Sequence, residues 1–184
     1  LLVSALEIIV AEIPEVAKDL RSNLSTVLDS GALAPSERWG VAIAVALASR
    51  SRRLAEALIA SRPEEVTSKT VDDAVAAAAM MGMTNVFYRF RHLVGKPGYE
   101  RKPAGLRMKR VAKPATTTVA FELFSLAVSV INACEICVRF HEATLLEQGT
   151  TEDQIHDAVR IASVVHGAAV ALDGAALIGE RSPT

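Results

Sequence analysis

Both cysteines of the 184-residue chain fall in one short motif, Cys134-Glu135-Ile136-Cys137, and His141 follows four residues later. On a helix, positions three and four apart share a face. The two thiols can therefore approach each other, with His141 one turn beyond Cys137. Asn132-Ala133 just ahead reads as a helix break, which puts Cys134 near a helix N-terminus, where the macrodipole and unpaired N–H groups favour a thiolate. The imidazole adds a proton acceptor, or a positive charge, beside Cys137. One thiolate to attack and a second thiol to resolve the product are what thiol–disulfide chemistry needs. Two cysteines in an Ala-rich chain can also be inert small side chains. A structural zinc site needs four ligands, and only three stand here. A static disulfide across three residues does little for stability. Redox use accounts best for the chain's only two cysteines standing three apart. The first thiol of a helical Cys-x-x-Cys is usually the exposed, more acidic one, which favours Cys134 as the attacking group; nearness to His141 favours Cys137.

The elements that must carry this motif read as helices. Pro14 opens Glu15 to Leu20, Ser36-Glu37 introduces Trp39 to Leu47, and Thr70 is the expected N-cap of a helix with Asp72 and Asp73 in its first turn. Gly149 stops the helix that holds the motif, and Thr151-Glu152-Asp153 starts the next. No Asn-Gly hairpin and no alternating β-branched run occurs, so the fold class is all-α. Gly95 to Gly105, with Pro97, Gly98 and Pro103, is a loop between two halves. A shift of 85 residues places Glu37 on Glu122, Ala42 on Ala127, Asp72 on Asp157 and Gly82 on Gly167. The reading is one domain over 1–184 with a degenerate internal repeat, residues 35–94 without cysteines and residues 117–179 with the active site. In that register Cys134, Cys137 and His141 face Ser49, Arg52 and Glu56.

Composition sets bounds. With 20 basic and 21 acidic residues the net charge is −1, and 51% hydrophobic content excludes a disordered chain. Two cysteines are no disulfide framework, and no uninterrupted apolar run approaches the ~20 residues that cross a bilayer. Glu7, Glu12 and Glu15 stand where a signal peptide would be basic and then apolar. A cytoplasmic protein without membrane attachment is expected. The Ala-rich, aromatic-poor composition and mean hydropathy of +0.29 point to more apolar surface than a monomer buries, hence a homo-oligomer. From Arg89 to Lys113 nine basic residues meet only Glu100. The neutral overall charge argues against nucleic acid and leaves a solvated face or a docking surface for an acidic partner.

Phe121-Glu122-Leu123, Ala127-Val128-Ser129, Ile131-Asn132, Cys134-x-x-Cys137 and His141-Glu142 closely resemble the alkyl hydroperoxidase D family, within the wider carboxymuconolactone decarboxylase-like superfamily. The similarity extends to Pro14-Glu15-x-Ala17-Lys18-Asp19, Met81-Gly82-Met83-x-Asn85-Val86-Phe87-Tyr88-Arg89 and Gly105-Leu106-Arg107-Met108, so it covers nearly the whole chain. The resemblance implies an all-α homotrimer that reduces organic hydroperoxides and regenerates a partner peroxiredoxin, the peroxidase component of alkyl hydroperoxide reductase. Electrons would come from NADH through dihydrolipoamide dehydrogenase and the lipoylated acyltransferase of a 2-oxoacid dehydrogenase complex. Dihydrolipoamide is then the donor, with no bound cofactor or metal. Carried over, Cys137 is peroxidatic, Cys134 resolving, and Glu122 with His141 a proton relay to Cys137.

Ile136 departs from the family pattern, in which many members have a histidine directly before the second cysteine. His166, in a run of small apolar residues, reads as a core histidine, with substitution for the missing one as the lesser alternative; His92 and His156 read as surface residues. Two other readings remain at this level. One is a carboxymuconolactone decarboxylase-like enzyme using His141 and Glu122 as acid and base, and the other a non-catalytic redox-sensing helical protein.

Overall fold

An Ala-rich chain without strand patterning has only helix faces from which to build a core. In the computed structural model, which describes residues 3–179, ten α-helices form: α1 Ala5–Ala11, α2 Asp19–Asp29, α3 Pro35–Ala48, α4 Arg52–Ala60, α5 Ser68–Val94, α6 Pro97–Glu100, α7 Lys109–Ala112, α8 Thr118–Ile131, α9 Glu135–Glu147 and α10 Glu152–Gly179. Among the described residues there is no strand. The reading of one domain over 1–184 extends at both ends beyond the described residues.

α3 and α8 form the centre. Arg38 through Ala46 and Ala120 through Ser129 are buried on every face, as expected of helices enclosed by others. α5 and α10 pack on both of them. α3 and α8 approach closely at Gly40, where a Cβ would stand 2.1 Å from Cζ of Phe124, a fully buried ring. By length and composition alone, Glu152–Ala175 in α10 could cross a membrane. Its Ile161, Ala162, Val165, Ala168 and Leu172 instead lie buried in this core.

Several helix ends differ from expectation. α5 starts at Ser68 with Thr67 as its N-cap, while Thr70 is buried in the first turn. Pro14 precedes a 3-10 turn over Glu15–Ala17, so α2 begins only at Asp19. Pro35 is the first residue of α3, and Glu37 reaches back to accept from the Ala34 N–H at 3.1 Å. α10 starts as expected, with Thr151 and Gln154 exchanging side chain–backbone hydrogen bonds in a capping box. The loop after Gly95 contains the single turn α6.

The 85-residue register is corrected by the backbone. α8 begins 83 residues after α3, α9 83 after α4, and α10 84 after α5. Arg50 and Ala133 are the non-glycine residues with positive φ among those described, at 59° and 51°. The next residues, Ser51 and Cys134, share φ near −90° and ψ of 82° and 87°. The counterparts of Cys134, Cys137, His141 and Glu122 are thus Ser51, Leu54, Leu58 and Trp39. An Ala-rich background produces identities at neighbouring shifts, and the 85-residue shift is one of these.

Candidate active site

α8 ends at Ile131, Ala133 turns left-handed, and Cys134 becomes the N-cap of α9. The break expected at Asn132-Ala133 is therefore present. The turn is tied down from α5: the Asn85 side chain donates to Ser129 Oγ at 3.0 Å and accepts from the Asn132 amide at 3.0 Å, and Arg89 donates to the Asn132 carbonyl. Cys134 N–H closes the turn onto Ser129 O at 3.1 Å.

Cys134 and Cys137 are joined as a disulfide, with Cα atoms 5.3 Å apart. Both sulfurs belong to the first turn of α9, where unpaired N–H groups and the helix dipole stabilise negative charge. Their exposure is unequal, and in the opposite sense to the general expectation for such motifs. Cys134 is 0% exposed and Cys137 8%. α9 packs against both α8 and α5, and Cys134, at the turn between α8 and α9, is the more deeply enclosed of the two.

His141 lies one turn after Cys137 on the same face. Its Nδ1 stands 2.6 Å from Oε2 of Glu122, and both side chains are buried. α8 and α9 pack together, which brings the carboxylate back to the imidazole across 19 residues of sequence. A carboxylate on Nδ1 orients the ring, and His141 lines the same cavity as Cys137.

A cavity of about 430 Å³ opens over Cys137. It is lined by Met81, Thr84 and Tyr88 of α5, by Met108 and Val111, and by Ile136, Cys137, Phe140 and His141. Ile136 is 42% exposed at its edge, so the family's extra histidine is replaced by a hydrocarbon wall. The lining is apolar except for the sulfurs, the imidazole and two hydroxyls. Thr84 already donates to the Met80 carbonyl at 2.9 Å.

The remaining histidines lie elsewhere. His166 is exposed on α10, not a core residue, and its Nδ1 is 2.9 Å from Ser49 Oγ, outside the cavity. His92 is exposed with Nε2 3.8 Å from Glu135 Oε2, and His156 is exposed.

Two residues that position the site are not legible in the sequence. Met81 touches His141: its Sδ is 3.3 Å from Nε2. Asp73, by sequence a first-turn acid, is fully buried. It accepts from Arg110 Nε at 2.9 Å, Ala115 N at 3.0 Å, and both N and Oγ1 of Thr116 at 2.7 Å. Burial pushes the Asp73 carboxyl up, but the Thr116 hydroxyl, the Ala115 and Thr116 N–H groups and Arg110 together outweigh it and hold the group below its ordinary range. This clasp fixes the segment that carries Met108 and Val111 onto the cavity and then enters α8. The recurrence of Met81, Thr84 and Tyr88 on one face of α5 was the available signal for the cavity wall.

Of the basic run, Arg89, Arg91 and Arg110 are engaged with Asn132, the Glu100 carbonyl and Asp73. Among the described residues, no carboxylate lies within 4.0 Å of Lys96, Arg101, Lys102, Arg107, Lys109 or Lys113. Arg107 and Lys109 flank Met108 at the cavity.

Comparison with known proteins agrees with this architecture. The carboxymuconolactone decarboxylase family profile matches residues 97–180, which include the whole of α8 and α9. A protein of Anaeromyxobacter dehalogenans named alkyl hydroperoxide reductase AhpD is 56% identical over 170 residues, covering 92% of this chain and 91% of that protein. Its namesakes in Rhodospirillum centenum and Brucella canis are 41% and 42% identical, covering 98% and 90% of this chain and 97% and 94% of their own. Identity at this level over nearly the full length of each relative leaves one assignment: the chain belongs to the AhpD family.

Proposed function

We propose that this chain is an alkyl hydroperoxide reductase and disulfide reductase of antioxidant defence. The observation that carries the reading is the Cys134–Cys137 disulfide whose outer sulfur opens, beside an imidazole buttressed by Glu122, into an apolar cavity. In the reduced protein, the Cys137 thiolate attacks the terminal peroxide oxygen, the O–O bond breaks, and the alcohol leaves with a proton from His141 Nε2. The Cys137 sulfenic acid is then attacked by the Cys134 thiol; water leaves and the disulfide forms. Dihydrolipoamide restores the thiols by two exchanges, the first at Cys137 because Cys134 is sealed. Cys134 leaves as a thiolate at the N-terminus of α9, and the second lipoyl thiol then attacks the lipoyl sulfur of the mixed disulfide, releasing Cys137 as a thiolate and closing the oxidised lipoyl disulfide. The same dithiol would reduce a partner peroxiredoxin, the peroxidase component of alkyl hydroperoxide reductase.

An acidic lipoyl-bearing acyltransferase would fit the exposed cations Arg107 and Lys109, chain neighbours of the cavity-lining Met108. Exposed Val75, Val86, Phe90 and Leu93 along α5 form an apolar stripe suited to a homotrimer, and the cytoplasm suits a dithiol that must be re-reduced. The test is turnover of an organic hydroperoxide by reduced protein with excess dihydrolipoamide, with thiols counted by mass spectrometry of the Cys134/Cys137 peptide. Without dihydrolipoamide, one equivalent of peroxide should convert both thiols to one disulfide; with excess dihydrolipoamide the peroxide should be turned over and the thiols restored. Activity that persists in a Cys134→Ser, Cys137→Ser double variant would instead indicate acid–base chemistry of the decarboxylase kind, and no turnover at all a sensor.

A further inference from the structure

His141 makes two contacts through its ring nitrogens. Nδ1 faces Glu122, and Nε2 lies 3.3 Å from Sδ of buried Met81. A thioether sulfur has lone pairs but no hydrogen, so it accepts and never donates. A hydrogen bond at that distance therefore exists only when Nε2 carries hydrogen, whichever atom of the Glu122–Nδ1 pair holds the proton between them. A bare Nε2 would set its lone pair against the sulfur's. The sulfur is itself held in place: Thr84 Oγ1 and Asn85 Nδ2 stand 3.6 Å and 3.8 Å from it, and Asn85 is locked to Ser129 and Asn132.

We propose that Met81 is a positioning residue of the thiol site: its thioether keeps hydrogen on Nε2 of His141, so that when the disulfide opens Cys137 meets a proton-bearing imidazole and its thiolate is favoured over its thiol. The inference rests on Cys137 as the attacking sulfur. The other ionisable groups facing the imidazole or its cavity are Glu122 from α8, Cys137 from α9 itself and Tyr88 from α5. Met108 and Val111 carry no charge there, and Arg110 turns away to Asp73. Met81→Leu keeps the volume and apolar packing and deletes the acceptor, whereas Met81→Gln offers a carbonyl oxygen in its place.

Two measurements test this, neither of which depends on peroxide turnover, so failure here and failure of the peroxidase reading register separately. In a reduced Cys134→Ser background, the rate of Cys137 alkylation by iodoacetamide is followed against pH. Met81→Leu should raise the midpoint by about half a pH unit, roughly a threefold loss of thiolate below it, and Met81→Gln should restore it. Equal midpoints for the parent and the Leu variant, or a Gln variant that behaves as Leu, overturn the proposal. In the unaltered disulfide protein, nitrogen-15 NMR at neutral pH should find Nε2 of His141 protonated; a bare Nε2 overturns it even if neither variant folds.

Discussion

Asp73→Asn removes one charge from the clasp and turns one acceptor into a donor. The Asp73 carboxylate is fully buried and receives every donor of the Arg110, Ala115 and Thr116 cluster. The least damaging placement of the amide points its NH₂ at Thr116, whose hydroxyl can rotate to accept but whose backbone N–H cannot. That leaves an unsatisfied part-buried donor, costing ~1–3 kcal/mol. The ion pair with Arg110 adds only about 1 kcal/mol, because the Arg110 side chain is 38% exposed and screened. The sum is about 3 kcal/mol at neutral pH, or a fall in Tm of roughly 6–12 °C for a chain of this length. The folded-state pKa is depressed, so the stabilisation is complete above the unfolded carboxyl value near ~4 and disappears as pH falls through the folded value. Urea denaturation of the parent and variant at fixed protein concentration, stepped from pH 7 to pH 3, reads both quantities. The gap should be widest at neutral pH and begin to narrow below about pH 4. A gap under about 1 kcal/mol at pH 7, or one equally wide at pH 3, refutes the assignment of Asp73 as an ionised buried anchor.

Gly40→Ala should destabilise the fold by about 3 kcal/mol, since its methyl would overlap the Phe124 ring; denaturant melts should show Phe124→Leu recovering part of the loss in the double variant. Glu122→Gln keeps the shape of the carboxyl but not its charge, and peroxide turnover should drop by at least ~10-fold with little change in melting temperature; unchanged turnover would remove Glu122 from the relay. Reversing Arg107, Lys109 and Lys113 to Glu should slow reduction by a lipoyl-bearing protein at low salt, yet leave reduction by free dihydrolipoamide as it was. Equal effects on the two donors would show that the patch is not a docking surface. Arg110 is omitted from that triple because it serves the Asp73 clasp.

Helical content was legible because it is written locally, in alanine content, capping residues and the glycine at 149. The start of α5 was not: Thr67 and Thr70 are both chemically fit to cap, and burial of Thr70 in the core decides between them. The neighbourhood of Cys134, Cys137 and His141 follows from spacing of three and four on one helix. Their unequal exposure does not, because position in a turn says nothing about which neighbours cover it. Met81 and Asp73 acquire their partners across 60 and 42 residues, respectively. Nothing near either of them in the chain announces the contact, so only the packed helices disclose it.

The two left-handed joints, at Arg50 and Ala133, have a consequence for how such a protein can change. Cysteines grafted by Ser51→Cys and Leu54→Cys would meet a main chain already bent as it is at 134–137. What they would lack is a vent to solvent and a base, for Leu54 and Leu58 are wholly enclosed and Trp39 occupies the place of the carboxylate. A matching bend is thus not a matching site: thiols at 51 and 54 could stand as near each other as those at 134 and 137, yet they would meet neither peroxide nor a proton carrier.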